Sequence, residues 1–255
     1  MTALFSIQEI SVRFGGLLAL DGFSMDVEQG SIHALIGPNG AGKSTVLNCV
    51  SRFCNPIRGQ IEFDGQSILT KPADQIVNTG IARTFQNLEL LRRMTVLETM
   101  LIGLTSRISN YVPFWPSGTR TKAERTAIED AESILDQLGL LPYRDTFAGQ
   151  LDFGHQKLLD LARALAAKPR LLLLDEPAAG LRNREISFVD RLLLDLSRQR
   201  GITIVLVEHV MRLVMSVADK ITVLNFGRKI AEGTPSTIRS DRLVIEAYLG
   251  SAATA

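Results

Sequence analysis

Two short stretches of the sequence carry residues whose types and spacing suit phosphate chemistry. The first, GPNGAGKS at residues 37–44, has the spacing G-x-x-x-x-G-K-[ST] between a strand-like run and a helical pattern. Glycines there let backbone N–H groups turn toward phosphate oxygens, and the following helix adds its positive end. Lys43 is suited to bridge the β- and γ-phosphates of a nucleotide, and Ser44 to bind Mg²⁺. The predicted nucleotide-binding residues of this loop are Gly37, Pro38, Asn39, Gly40, Ala41, Gly42, Lys43, Ser44 and Thr45.

The second stretch is LLLLDEP at residues 171–177. Its four leucines predict a buried strand whose end directs Asp175 at a metal ion. Glu176 follows directly, where a carboxylate can polarise an attacking water. Taken alone, the two carboxylates fit an ordinary solvated strand end almost as well. Combined with the phosphate loop, they predict hydrolysis of a nucleoside triphosphate with Mg²⁺.

The elements around these stretches predict a parallel sheet. SIHALIG, before the phosphate loop, is a short apolar run typical of a buried strand, and His33 within it is expected to be a hydrogen-bonded core residue. KSTVLNCVSRF continues as a helix. After Leu171, apolar strands alternate with helices, which indicates a parallel sheet covered on both faces.

The beginning and the middle of the chain follow other patterns. LFSIQEISVRFG and LALDGFSMDVEQG alternate like half-exposed strands, and GQIEFDGQSI predicts two short strands around Asp64 and Gly65. From about residue 72 to residue 150 the periods are helical, and TKAERTAIEDAESILDQLGL predicts an amphipathic helix that ends at Gly139. TSRISNYVPFWPSGTR, before it, is expected to be an irregular surface segment.

The predicted fold is therefore α/β: a phosphate-loop core with a parallel sheet, an N-terminal antiparallel part and an inserted helical subdomain. We expect one domain over 1–255, with the core at 1–85 and 165–255 and the helical subdomain at 86–164. A chain of 255 residues, 45% hydrophobic and 22% charged, fits this size.

Charge and cysteine content narrow the function classes. The formal net charge of +1 gives no basic field for nucleic acid. Cys49 and Cys54 have neither zinc spacing nor a disulfide framework, which favours a reduced, cytoplasmic compartment. The sequence begins without a secretory signal pattern. No apolar run reaches the ~18 residues that a spanning helix needs, so the chain is not expected to cross a membrane.

The order of five stretches, GPNGAGKS, RTFQN, LDFGHQ, LLLLDEP and LVEH, resembles that of ABC-type ATPases over nearly the whole chain. The resemblance implies the ABC ATPase fold and a head-to-tail dimer. In such a dimer, each of two ATP molecules lies between the phosphate loop of one subunit and the signature stretch, here LDFGH, of the other.

The resemblance also implies roles for single residues. Phe14 matches the aromatic residue that stacks on adenine, although a core aromatic of a strand fits the sequence equally well. Gln86 matches a glutamine that reaches Mg²⁺ and the attacking water, in a loop that faces the membrane subunit. His209 matches the histidine that contacts the γ-phosphate, and Gly154 matches the second signature glycine.

Two longer stretches narrow the resemblance. RTFQNLELLRRMTVLETMLIG and the tail that closes with AYLG are similar to ATP-binding subunits of importers for branched-chain and other hydrophobic amino acids. This implies a peripheral position on the cytoplasmic face of the inner membrane, with transmembrane permease subunits, a second ATPase subunit that is the same or a different chain, and, indirectly, a periplasmic binding protein. Related systems for urea or amide import and for lipopolysaccharide export remain alternatives. A soluble ABC ATPase acting on DNA or ribosomes is disfavoured, because long coiled-coil insertions and a second such domain are absent from the sequence.

Three positions depart from the family pattern. Asp152 replaces the signature serine, His155 replaces a glutamine, and Arg182 stands where aspartate or asparagine is usual. A carboxylate at ~4 Å from a γ-phosphate would cost on the order of 4 kcal/mol at an effective dielectric of ~20. Alternatively, Asp152 caps the next helix and turns away. Arg182 of one subunit is also a candidate to neutralise Asp152 of the other.

These departures concern the partner's ATP, whereas Lys43, Glu176 and the other residues around the chain's own ATP are intact. The pattern therefore favours one half of an unequal pair over an inactive enzyme.

Overall fold

The computed structural model of the chain describes residues 3–86, 88–104 and 122–252. The predicted irregular segment at 105–120 lies outside these residues. The chain starts with two long strands, β1 (Ala3–Phe14) and β2 (Leu17–Glu28), which pair antiparallel. Two shorter strands, β4 (Arg58–Phe63) and β5 (Gln66–Ser67), complete a four-stranded antiparallel sheet in the order β2-β1-β4-β5. The sequence predicted all four strands: β1 and β2 from their alternating patterns, and β4 and β5 as two short strands around Asp64 and Gly65.

A second sheet of six strands positions the chemistry. Its strand order is β10-β9-β3-β8-β7-β6. Neighbouring strands from β9 to β6 pair parallel, and only β10 runs antiparallel to its neighbour. The carboxyl ends of β3, β7 and β8 therefore lie at one edge, so the residues that follow these strands meet there. The strands are β3 (Ile32–Ile36), β6 (Ile81–Arg83), β7 (Leu171–Asp175), β8 (Thr203–Val207), β9 (Lys220–Asn225) and β10 (Arg228–Gly233).

Eight α-helices are present in the described residues: α1 (Lys43–Val50), α2 (Val96–Leu104), α3 (Lys122–Gln137), α4 (Phe153–Ala166), α5 (Asn183–Arg198), α6 (Met211–Val217), α7 (Pro235–Arg239) and α8 (Arg242–Ala252). Helices α2, α3 and α4 pack on one another. The predicted amphipathic helix is α3, and Gly139 follows its end with a φ of +70°. None of the described helices has the length and apolarity needed to cross a membrane.

The prediction of helical structure throughout 72–150 was wrong at β6. This strand has three residues, and Ile81 and Ala82 pair with Leu171 and Leu172, far along the chain. Three residues are too few to show an alternating pattern, and the pairing that makes them a strand is entirely long-range. The error matters, because Arg83 at the end of β6 reaches the functional site.

The four leucines of β7 are buried on both faces of the sheet. Leu171 and Leu173 pack into the core that also contains β1, β2 and α1, whereas Leu172 and Leu174 pack into the core formed with the helices. This double burial explains the continuous apolar run. His33 is confirmed as a core residue: its Nε2 lies 2.7 Å from Thr222 Oγ1, and burial lowers its pKa to about 4.

Candidate functional site

The loop between β3 and α1 forms one side of an open cleft. Gly37 has a φ of +154°, and a Cβ on it would lie 2.0 Å from the backbone oxygen of Leu224 in β9. Gly42 has a φ of +109°, and a Cβ there would lie 2.8 Å from the backbone oxygen of Ala19. Both positions therefore require glycine. The packing of the loop against β9 and β2 holds the start of α1 toward the cleft.

Lys43 is the first residue of α1 and folds back over the loop. Its Nζ donates to the backbone oxygens of Gly37 at 2.7 Å and Pro38 at 3.0 Å. The side chain is buried, and burial lowers the pKa of its ammonium group, while Glu176 and Asp175 oppose that shift. The ammonium group is thus positioned within the loop, in the place where phosphates would meet it.

Asp175 ends β7 and is buried. Burial raises the pKa of its carboxyl group, and the guanidinium of Arg83 opposes that rise. Arg83 Nη2 donates to Asp175 Oδ2 at 2.9 Å, and the Asp175 backbone N–H donates to Thr84 Oγ1 at 3.3 Å. The carboxylate is therefore held from the neighbouring strand β6.

Three predicted residues meet immediately after the strands. Gln86 Nε2 donates to Glu176 Oε2 at 2.9 Å, and His209 Nδ1 lies 3.6 Å from the same oxygen. The second distance exceeds that of a hydrogen bond. Glu176 has a φ of +51°, a strained conformation for a non-glycine residue that is typical of functional sites. The site therefore brings an amide, a carboxylate and an imidazole together.

Two buried charges near these residues were missed by the sequence analysis. Lys157 Nζ donates to the backbone oxygen of Glu176 at 2.6 Å. Glu208 is fully buried and accepts the backbone N–H groups of Ala178, His209 and Val210 at 2.7–3.0 Å. Burial lowers the pKa of the Lys157 ammonium group, and Glu208 opposes this shift most strongly. Glu208 lies within the quoted stretch LVEH, but its burial depends on contacts that are remote in sequence.

The cleft has a volume of about 540 Å³. Phe14 lies on its wall and is 51% exposed, so it is not the core aromatic that the sequence also allowed. Phe226, which the sequence analysis did not single out, is 86% exposed on the same cleft. The predicted residues that line the cleft are Phe14, Asn39, Gly40, Ala41, Gly42, Lys43, Ser44, Thr45, Gln86 and Glu176.

The signature stretch lies apart from this cleft, at the start of α4. Asp152 Oδ1 accepts the backbone N–H of His155 at 2.9 Å and lies 2.8 Å from His155 Nδ1. The backbone hydrogen bond is the main reason why the pKa of Asp152 lies below its usual value. Arg182 of the same chain contributes further to this shift. Asp152 therefore caps the helix, as the second sequence interpretation expected. Gly154 faces Glu185, whose Oε1 would lie 3.0 Å from an added Cβ.

The donor set beside the phosphate loop suits Mg²⁺. It combines the hydroxyl of Ser44, the buried carboxylate of Asp175 and the amide of Gln86, and hard oxygen ligands of this kind are those that Mg²⁺ prefers. Within the described part of the chain, no group of three or more His, Cys, Asp or Glu side chains forms a metal site by itself. This is consistent with an ion that takes most of its ligands from phosphates and water.

The fold and the loop define a nucleotide-binding α/β protein in which a strand, a glycine-rich loop and a helix form the phosphate site. Residues 20–179 match the family described as ABC transporter, and residues 228–254 match the one described as branched-chain amino acid ATP-binding cassette transporter. The chain belongs to the ABC transporter family and is an ATPase subunit of that family. Members of this class work together with membrane permease components.

Relatives of the chain extend over nearly its whole length. It is 40% identical over 253 residues to the high-affinity branched-chain amino acid transport ATP-binding protein LivG of Escherichia coli, covering 98% of each chain. It is 39% identical over 251 residues to BraF of Pseudomonas aeruginosa, a protein with the same description, again covering 98% of each. Among solved structures, the ADP conformation of MJ1267, an ATP-binding cassette of an ABC transporter, has a TM-score of 0.86 at 34% identity, covering 98% of this chain and all of that one.

Proposed function

We propose that the chain hydrolyses ATP with Mg²⁺ to drive the import of branched-chain amino acids through a membrane permease. The observation that carries the proposed hydrolysis is the meeting of Gln86, Glu176 and His209 beside the phosphate loop. The named relatives, similar over their whole length, support the solute. The unusual residues of the signature stretch do not alter this group of three.

Lys43 is assigned to the β- and γ-phosphates of the chain's own ATP, since its ammonium group already lies within the loop. Ser44, Asp175 and Gln86 are assigned to the metal. When bound, Mg²⁺ would supply positive charge for the phosphate oxygens. Phe14 is assigned to the adenine, because its exposed ring stands on the wall of the cleft.

Glu176 is assigned as the general base for the attacking water. Its carboxylate accepts from Gln86, and Lys157 holds its backbone oxygen, so the side chain starts from a fixed point. His209 is assigned to the γ-phosphate: its side chain is 54% exposed, and the buried carboxylate of Glu208 fixes the backbone on which it stands. The proton of water would pass to the Glu176 carboxylate as the water oxygen attacks the γ-phosphorus. The bond from that phosphorus to the β–γ bridging oxygen would break, with ADP as the leaving group and inorganic phosphate as the second product.

Asp152 and Gly154 are assigned to the ATP of a second ATPase subunit, which would meet the start of α4. The hydrogen bonds from His155 occupy one oxygen of Asp152 and lower the repulsion of a γ-phosphate. Arg182 of the same chain also lowers the pKa of Asp152, less than His155 does, and its pairing with Asp152 across the dimer stays a prediction. The departures at Asp152 and His155 concern the partner's ATP, whereas Lys43 and Glu176 are intact, and from this contrast we infer that the partner is a different chain with its own signature stretch.

A groove next to the site is assigned to the permease. It has a volume of about 360 Å³ and lies between the end of α1, strand β6 and helices α2 and α4. Its wall includes apolar side chains and two arginines. Residues of this wall include Ser51, Phe53, Arg83, Phe85, Ile102 and Arg163. Leu91, six residues after Phe85 in the chain, is 57% exposed. A cytoplasmic permease segment in this groove would place the chain peripherally on the inner membrane, with a periplasmic binding protein acting only through the permease.

The test is transport by the assembled complex in proteoliposomes that contain its permease and binding protein. Leucine, isoleucine or valine should stimulate ATP hydrolysis and accumulate inside, whereas urea should do neither. Stimulation by urea alone would contradict the assigned solute. For the groove, binding of permease loops to the chain should weaken when Glu89 is changed to Lys and Leu91 to Asp. Unchanged binding of both variants would contradict that placement.

A further inference from the structure

Arg83, the first residue of the stretch RTFQN, contacts several residues around the site, and the sequence alone did not indicate these contacts. Its side chain is only 8% exposed. Nη2 donates to Asp175 Oδ2 at 2.9 Å, and Nη1 donates to Asn48 Oδ1 at 2.8 Å and to Ser51 Oγ at 3.2 Å. The guanidinium carbon also lies 4.9 Å from the ring centre of Phe85. One side chain thus joins β7, the helix that follows the phosphate loop, and the segment that leads to Gln86.

This geometry fixes the orientation of a single carboxylate. A buried carboxylate at a strand end has two oxygens and free rotation about its last bond, and a metal ion needs one oxygen in a defined place. Arg83 holds Oδ2 of Asp175, which leaves Oδ1 for another partner. Arg83 is itself held by Asn48 of α1, the helix that carries the predicted ligand Ser44, and by Ser51, which caps the end of that helix.

We propose that Arg83 is the positioning residue that orients Asp175 toward the metal ion and keeps it in register with Ser44. This inference rests on the proposed role of Asp175 at the metal. Arg83 is not among the residues that line the cleft, so its proposed effect acts through Asp175. Partners of metal ligands that act in this way contribute strongly to affinity, and their loss commonly weakens metal binding about 10- to 100-fold.

The same side chain also lines the groove assigned to the permease. Phe85 and Ser51, both in contact with the guanidinium, lie on that wall as well. A displacement of the groove wall would therefore change the position of the Asp175 carboxylate through Arg83, without involving Gln86.

The test measures the binding of Mn²⁺ to the full chain loaded with a non-hydrolysable ATP analogue. Mn²⁺ serves as a spectroscopic substitute for Mg²⁺. Free Mn²⁺ is followed by electron paramagnetic resonance, so the measurement does not depend on turnover. Arg83→Met should weaken Mn²⁺ binding by about tenfold or more. Arg83→Lys keeps the charge but loses the fork that reaches Asp175 and α1 together, so a smaller loss is expected.

Arg52→Met is the matched control. Arg52 is a partly buried arginine that donates to the backbone oxygens of Leu69 and Lys71, and none of these three residues lines the cleft. Its loss should lower thermal stability but leave Mn²⁺ affinity unchanged. Asp175→Asn tests the premise. If Asp175→Asn binds Mn²⁺ as the wild type does, the proposed metal role of Asp175 fails. If Asp175→Asn weakens binding while both Arg83 variants match the wild type, the positioning role alone is overturned.

Discussion

Two faces of the chain would contact ATP, and they differ in how deeply their charged side chains are buried. On the face with the phosphate loop, Lys43, Asp175 and Glu208 are buried charges, each held by named partners. On the face with the signature stretch, the Asp152 side chain is 66% exposed, and Phe153 is 50% exposed. The departures from the family pattern lie only on the second face.

The difference follows from the cost of an unpaired group. A buried charge that loses its partner remains without water, and such losses cost several kcal/mol. An exposed charge that loses its partner regains water, and the cost is commonly about 1 kcal/mol or less. Substitutions such as Asp152 and His155 are therefore tolerable at the start of α4, whereas equivalent changes around Lys43 would damage the whole site.

The largest effect expected on the buried face is on turnover. Glu176→Gln removes the proposed base but keeps an amide that can still meet Gln86. The ATPase rate of the assembled transporter should fall by about 10²–10⁴-fold, with ATP binding retained and a long-lived ATP-bound dimer. Glu62→Gln, on β4, is the control and should be neutral. Turnover at the wild-type rate in Glu176→Gln would refute the assigned base.

Removal of the loop ammonium group should abolish tight nucleotide binding. Lys43→Ala loses a charge-assisted contact to phosphate worth about 1.5–3 kcal/mol, and it also leaves the loop oxygens of Gly37 and Pro38 without their donor. Calorimetric titration with ATP should give an affinity at least about tenfold weaker. Lys168→Ala, which removes an exposed lysine paired with Asp130, should bind as the wild type does. Equal affinity in the two variants would show that the loop backbone suffices.

His33, in strand β3 before the phosphate loop, should make the free energy of unfolding depend on pH. In the folded chain burial lowers the pKa of His33 from 6.5 to about 4. The unfolded chain therefore takes up a proton on His33 from about pH 6.5 downward, and the folded chain does so only near pH 4. His33 contributes stability above pH 6.5 that is lost as pH falls toward 4, by up to about 3 kcal/mol.

Urea unfolding at several pH values between 7.5 and 4 tests this prediction. His33→Gln, which keeps a polar partner for Thr222, should show a shallower decline in the free energy of unfolding over that window. Parallel curves for the wild type and the variant would contradict the burial argument.

The smallest effect is expected on the exposed face. Asp152→Ser removes a negative charge that would face the γ-phosphate of the partner's ATP, and it keeps a capping oxygen. ATP-driven dimerisation should therefore tighten, and turnover should be equal or higher. Asp152→Ala also loses the cap that accepts from His155, and should cost about 1 kcal/mol of stability. Analytical ultracentrifugation with ATP and thermal unfolding separate these effects. Weaker closure in Asp152→Ser would mean that the aspartate itself makes a favourable contact across the dimer.

Sequence reasoning performed best where chemistry and local pattern coincide. The phosphate loop, β7 with Asp175 and Glu176, and the capping role open to Asp152 were all readable from neighbouring residues. Arg83, Lys157 and Glu208 were not, because their importance arises from partners that lie far away in sequence. A three-residue strand such as β6 carries too little pattern to be found without the strand beside it.

The contact of Gly37 with Leu224 has a consequence for any attempt to divide the protein. The phosphate loop occurs in the first fifth of the chain, yet the backbone that shapes it from behind belongs to β9, close to the other terminus. A fragment that stops before residue 220 would keep every residue of the loop but lose the β9 backbone that packs against it. We therefore expect such a fragment to retain the phosphate-binding sequence without retaining a phosphate-binding shape.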